Sequence, residues 1–467
     1  MLWTLIRKEF TSHVLGFRFI TSAVLCLILV LVSVIVLEGD YFQRKRDFQA
    51  NQAAYKRQAE ERGTYTQLEQ QGISVDRPPK KTGIFFYGLE KNPDKTAQVS
   101  GLFSAVFGGK LDINPVIPLF PVVDILFIVA IVMSLLAFVF SYDAISGERE
   151  EGTLKLLLSY SVPRDRLILA KWIGGYLSLV VPFFIAVLAG ATLVYFSKDV
   201  GFRGQDWTAL TLAFLTSLVF IAVMFSVGLF VSTRCARSAT SISILLFIWV
   251  IFALIVPNVS PYIADRISPT PPISKVENQI REEIGNIVST FMQEMQQYRR
   301  EHRDAFRTPE GRKAFEEWIG EKYDDLKVAM NEASDRALEN FDRKVRAQEN
   351  VTKTLSRISP IASYTYAATD ISGTGTAAEQ RLRDALKRYQ QEFKDYIAGK
   401  VAEMKEKNVS MWSRQGYDIS DMPFFRYTEA PLSERLSQAL TDITLLVLFA
   451  ILFFMAAFLS FLRKDVI

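Results

Sequence analysis

Apolar and polar positions along this chain fall into long blocks instead of short alternations. Six stretches are almost wholly apolar: about 19–37 (FITSAVLCLILVLVSVIVL), 120–140, 173–196, 209–232, 239–257 and 440–462. A helix needs about 20 mostly apolar residues to cross the hydrocarbon core, where backbone polar groups find no water. Buried helices of soluble proteins rarely lack charges over this length, so the six runs read as membrane spans. The first run follows Arg7 and Lys8 as a signal peptide would. It exceeds the usual h-region of about 7–15 residues, however, and VLEGDYFQ after it offers no cleavage pattern, so it reads as a retained first helix.

Orientation follows from the basic residues beside the runs. Arg7, Lys8 and Arg18 precede the first; Arg149, Lys155, Arg164, Arg166 and Lys171 lie between the second and third; Arg234 and Arg237 separate the fourth and fifth; Arg463 and Lys464 follow the sixth. All fall on one side, which is then the cytoplasm, and six crossings leave both termini there. On the other side, Lys198 and Arg203 are offset by Asp199 and Asp206. Arg44, Lys45 and Arg46 run against the rule, but long translocated segments largely escape it.

The polar blocks give the remaining layout. Residues 38–118 begin as a charged helical pattern, DYFQRKRDFQANQAAYKRQAEERG, and continue into a Gly- and Pro-punctuated stretch with FGGK and NPVIPLFP, read as one helix followed by irregular structure. Residues 258–436 carry Ile280, Ile284, Ile287, Val288, Phe291 and Met295 at helical spacing, a helix start at Thr308-Pro309-Glu310, and a third helix over about 377–406. A helical hairpin plus one packing helix is the simplest arrangement. The expected fold is an all-α polytopic membrane protein with six transmembrane helices and two extracytoplasmic, mainly helical insertions. Its segments are 1–18 amphipathic, 19–37 helix 1, 38–118 outer, 119–141 helix 2, 142–172 cytoplasmic loop, 173–257 helices 3 to 5, 258–436 outer, and 437–467 helix 6 with its tail.

Composition narrows the function. The 467 residues are 49% hydrophobic and 22% charged, with a net charge of +4 and no basic block interleaved with aromatics, which argues against nucleic acid. Cys26 and Cys235 lie far apart and imply no disulfide framework. With His13 and His302 the only histidines, metal sites and a Ser-His-Asp triad have little to build on, so no enzyme and no bound metal is expected. Phosphate-cradling G-x-x-x-x-G-K-[ST] is missing, as are H-E-x-x-H and G-x-S-x-G; Gly108-Gly109-Lys110 has neither the spacing nor the hydroxyl. No cofactor is expected on this chain, and ATP, if used, binds another chain. Asp124 and Asp442, at outer ends of apolar runs, read as hydrated or helix-capping carboxylates before ion-route residues. Pro182 and Gly228 are expected to kink or thin their helices.

One loop is busier than a turn requires, since helix connections usually take about 2–8 residues. In ISGEREEGTLKLLLSYSVPRDRLILAKW (145–172), Glu148, Glu150 and Glu151 favour a helix start. Leu154, Leu157 and Leu158 share one helical face, and Pro163 ends the helix. The segment is either an interfacial helix resting on lipid or a protruding helix whose leucines dock on a cytoplasmic partner.

DAISGEREEGTLKLLLSYSVPRDRLILAKW closely resembles the loop after the second helix in permease subunits of type-2 ABC exporters. Glu148, Arg149, Glu150, Gly152, Thr153, Leu154, Leu157, Leu158, Pro163 and Lys171 match that pattern. MLWTLIRKEFTSHV looks like the family's cytoplasmic elbow helix, while LSRISPIASYTYAATDISGTG and the ending FLRKDVI resemble a subgroup with an enlarged outer domain between helices 5 and 6. The resemblance implies a transmembrane half-transporter in a bacterial cytoplasmic membrane. Such a subunit pairs with a second, identical or different, permease subunit, and its 145–162 loop meets a separate ATPase that carries ATP and Mg. Glu148 to Leu158 would then transmit force. Export is the leading activity; the alternative is mechanotransmission, in which the outer domain acts on an envelope partner and nothing crosses.

Overall fold

The computed structural model of this protein describes residues 2–91, 96–100, 106–107, 122–159, 163–197, 200–303, 307–407, 409, 414 and 416–463. The Gly-Gly-Lys at 108–110 and the proline-rich 114–121 lie outside the described residues, as do 160–162, Lys198, Asp199 and Lys464.

Helix α1 (Leu2–Val14) is followed by six helices long and apolar enough to span a membrane: α2 (Phe17–Glu61), α4 (Ile125–Glu150), α6 (Arg164–Phe196), α7 (Gly204–Arg234), α8 (Ser238–Ile267) and α13 (Leu432–Arg463). These six match the six apolar runs, and the protein is an all-α, multi-pass membrane protein. α6 starts at Arg164, nine residues before the apolar run, so Arg164, Arg166 and Lys171 sit on its first turns and not in the loop. Pro182 lies inside α6 without ending it. Gly228 of α7 is a close-approach site: a Cβ there would stand 1.8 Å from Ser141 Oγ of α4.

The first span and the charged helix after it are a single 45-residue helix, α2. At 1.5 Å per residue it runs roughly 67 Å, about twice the hydrocarbon thickness. Asp40 and Arg44, one turn apart, bridge at 2.7 Å just beyond the apolar run and hold the helix together there.

After α2 the chain is less irregular than its glycines and prolines suggest. A short helix α3 (Tyr65–Gln71) leads into an antiparallel sheet ordered β1 (Ile73–Asp76), β2 (Thr96–Val99), β3 (Val106–Phe107), with Ile73 opposite Val99 and Gln98 opposite Val106. Strands this short carry too few alternations to register as a period-two pattern. The two outer insertions are one body. Tyr65, Leu68, Ile73 and Val75 of the first share a core with Leu386, Tyr389 and Phe393 of the second.

In the second insertion the expected hairpin is α9 (Ile273–Glu301) with α10 (Pro309–Ser356), the latter capped by Thr308, whose hydroxyl accepts from Gly311 N–H at 3.1 Å. Helix α12 (Thr376–Glu406) is the packing helix. Between them, α11 (Pro360–Ser372) does not stand out in solvent. Most of its 13 residues are buried, and it packs between α7 and α13. Tyr364 is fully buried there, stacked on Phe220 at 4.7 Å with its hydroxyl 3.0 Å from Ser217 Oγ.

The first insertion clamps the turn after α11. Thr82 Oγ1 donates to the Ser372 carbonyl at 2.7 Å, Leu89 N–H to the Thr374 carbonyl at 2.9 Å, and Lys80 Nζ to the Gly373 carbonyl. Burial pushes the Lys80 ammonium down to about 8. Beside it, Arg44 and Arg77 both meet the buried Glu90, at 2.6 and 3.4 Å, and Arg77 continues to Glu379 of α12 at 2.7 Å.

Candidate functional site

The 145–172 segment is tied to neighbouring elements through Glu148, Arg149, Glu150, Leu154 and Lys171, five of the residues that matched the loop pattern. Span α4 turns at 142–145 and ends in Ser146–Glu150, where the N–H groups of Ile145 and Ser146 donate to Ser232 Oγ of α7 at 3.0 and 3.1 Å. Three consecutive charges then reach three different elements. Glu148 Oε1 accepts from Lys171 Nζ of α6 at 2.7 Å. Arg149 Nη1 donates to the Cys235 carbonyl, in the turn between α7 and α8, at 2.8 Å. Glu150 Oε2 accepts from the N–H of Ser238, the first residue of α8, at 3.0 Å.

Lys171 is 5% exposed and also lies 3.3 Å from Glu9 Oε1 of α1. One ammonium therefore joins the amphipathic N-terminal helix, the third span and the loop. The second carboxylate oxygen of Glu148 is buried without a hydrogen-bond partner among the described residues, so Lys171 carries most of that carboxylate's compensation.

Gly152 turns the chain at φ +76°, a left-handed conformation that a side chain would strain. Thr153 Oγ1 donates back to the Glu148 carbonyl at 3.2 Å across this turn. Helix α5 (Thr153–Ser159) follows, and Pro163 stands at the N-cap of α6.

The leucines divide in a way the sequence did not indicate. Leu154 is 1% exposed and packs inward with Ile145, Leu167, Ile168, Leu229 and Phe461, so it fastens α5 to spans α6, α7 and α13. Leu156, which was not singled out, is 62% exposed, and Glu151 and Lys155 flank it on the open surface. The side chains of Leu157 and Leu158 lie outside what is described.

Sequence reasoning placed Glu148 and Lys171 in one motif but missed their third partner, Glu9, which is 162 positions from Lys171. Ser232 and Ser238 were missed for the same reason: a single serine at a helix end carries no signal until the fold places it. Asp124 caps α4 as expected, accepting from the N–H groups of Phe127 and Tyr87 at 2.8 Å each. Asp442 is neither hydrated nor a cap. It is 1% exposed and paired with Arg357.

A polytopic helical core, an N-terminal helix locked to the third span and a braced helical loop after the second define a multi-pass helical membrane protein. The chain belongs to the ABC-2 family transporter proteins, whose profile matches residues 3–466. It is similar to a probable ABC transporter permease protein NosY of Pseudomonas aeruginosa, 32% identical over 127 residues. The protein of the same name from Stutzerimonas stutzeri is 30% identical over 131 residues. Each match covers 26% of this chain and 45% of the relative, so this chain aligns with about half the length of those proteins.

Proposed function

We propose that this chain is the membrane subunit of an ATP-driven ABC transporter in a bacterial cytoplasmic membrane, with both termini inside, paired with a second permease subunit. A separate ATPase, holding the ATP and Mg, docks on α5, and its movement drives export. The observation that carries this reading is the buried Lys171 contact to Glu148 and Glu9. A push on the loop is delivered at once to α6 and α1, because one buried charge holds all three. The inward anchor Leu154 and the outward Leu156 suit a helix that is fixed on one side and offers the other to a partner.

The test is copurification. Leu156→Asp places a charge on the outer face of α5 without touching the inner packing. The cognate ATPase is expected to be lost from the purified complex by an order of magnitude, while the chain still inserts and elutes as a single species. Normal ATPase recovery in Leu156→Asp and in Leu157→Asp would remove α5 from the interface.

A second reading, mechanotransmission without a transported substrate, is favoured by α2, which runs unbroken from the cytoplasmic side into the outer core. Its discriminator is removal of the hairpin, residues 275–345, which leaves α11 in the membrane core. Loss of the cellular function with ATPase binding intact supports mechanotransmission. Transport that persists supports export.

A further inference from the structure

Both π-helical stretches among the described residues border one cleft. Spans α4 and α8 each relax from α to π pitch for a single short run, Ile128–Met133 and Ile251–Ile255. Between these runs and α11, beneath the Tyr87–Gly88 turn, lies a cleft of about 300 Å³. Ala130 and Ile131 come from the first run, Ala253 from the second, and Ile361 and Ala362 from α11. A π stretch disturbs the regular hydrogen-bond ladder, and such stretches concentrate at functional sites. Here each is braced from outside. Trp249 Nε1 of α8 donates to Ser134 Oγ, next to the first run, at 2.9 Å, and Ser359 Oγ donates to the Phe252 carbonyl within the second at 2.7 Å. Three alanines, Ala130, Ala253 and Ala362, line the cleft at positions that larger side chains would fill.

We propose that this cleft binds the hydrocarbon tail of a membrane lipid drawn from the outer half of the bilayer. It lies where α4 begins and along α8 from Ala253 to Pro257, beside the exposed apolar side chains of Leu254 and Ile255. Among the described residues Asp124 is the one charged side chain in its lining, and that carboxylate already accepts from two backbone N–H groups. Among the described residues no lysine or arginine lines it, so the described lining offers no cation to a phosphate: the tail is bound and the head stays outside. The volume is at the small end for ligand cavities, which suits one chain and not a whole lipid. A tail seated there fills the joint between α4, α8 and α11. The proposal stands apart from the docking of an ATPase on α5, since the two sites share no residue.

The test uses the full chain in phosphatidylethanolamine nanodiscs containing the same lipid with a diazirine at mid-chain, followed by irradiation and peptide mapping. Label is expected to concentrate on the peptides carrying Ala130, Ala253 and Ala362. It should fall roughly five-fold in Ala253→Phe and in Ala362→Phe, which fill the cleft from opposite walls, but not in Leu188→Phe on the exposed face of α6. Label spread evenly over Phe184, Leu188 and Leu448 with the cleft peptides bare would overturn the proposal. So would cleft labelling that survives both filling substitutions. If a filled variant fails to fold, the distribution of label in the unmodified chain still decides between the two outcomes.

Discussion

Replacing Lys171 by Met is expected to cost on the order of 3 kcal/mol of stability and to uncouple the loop from the membrane core. The ammonium is 5% exposed and lies 2.7 Å from Glu148 and 3.3 Å from Glu9, whose side chains are themselves only 20% and 15% exposed. Methionine matches the aliphatic stem but leaves two carboxylates facing each other in a poorly hydrated site. The free oxygen of Glu148, already without a partner, makes this worse. Thermal unfolding followed by tryptophan fluorescence in detergent measures the stability loss, and ATPase copurification measures the coupling. Glu148→Gln alone should cost less, because Lys171 keeps Glu9. Adding Glu9→Gln and Glu148→Gln to Lys171→Met should restore part of the stability, since no charge is then left unpaired. A Lys171→Met protein that melts with the wild type would mean that packing, and not this ion pair, joins α1, α6 and the loop.

How much of this was legible in the sequence depends on how local each signal is. The spans were legible because each keeps about 18 or more residues free of charge, a pattern that needs no knowledge of neighbours. The hairpin and α12 were legible for the same reason, through helical spacing and a proline at the helix start. The three strands were not, being two to four residues long. The unity of the two outer insertions was hidden because Tyr65 and Phe393 give no sign of each other until α2 carries the first insertion up beside α12. Helix α11 was misplaced among the outer elements because its serines, threonines and tyrosines look solvent-facing. The partners of Tyr364 and of the capping Ser359, Ser217 and the Phe252 carbonyl, are 147 and 107 positions away.

The loop illustrates the same division at the site itself. Its residue types, order and place between spans could be read directly, and they led to the family. Which leucine turns inward could not, because α5 is only seven residues long and its apolar positions do not fix its rotation against α6 and α13. The packed structure makes that choice: Leu154 enters a cluster formed by three spans, which leaves Leu156 outside. Of the expected leucine face, Leu154 holds the loop to the spans, and Leu156, outside that expected face, is the leucine presented on the surface.

Arg357→Ala is the companion case at the opposite end of the core. Arg357 follows α10 and lies three residues before the start of α11, and its Nε and Nη2 each lie 2.8 Å from an oxygen of Asp442 on α13, a two-pronged pair. Asp442 is 1% exposed, whereas the arginine side chain is 27% exposed, so the acid depends on the base far more than the reverse. Truncating Arg357 strands a buried carboxylate, which should cost about 3–5 kcal/mol and loosen α11 from its place between α7 and α13. Asp442→Asn keeps an acceptor for the guanidinium and should cost nearer 1–2 kcal/mol. Arg357→Leu combined with Asp442→Leu removes both charges and should return most of the stability lost in Arg357→Ala, because the desolvation of the acid disappears with it. Melting temperatures in detergent rank the four proteins. If the double leucine variant is as unstable as Arg357→Ala, the pair is needed for geometry and not only for charge balance. The joint between the outer hairpin and α13 would then be a directional contact, able to pass a rotation of α10 into the sixth span.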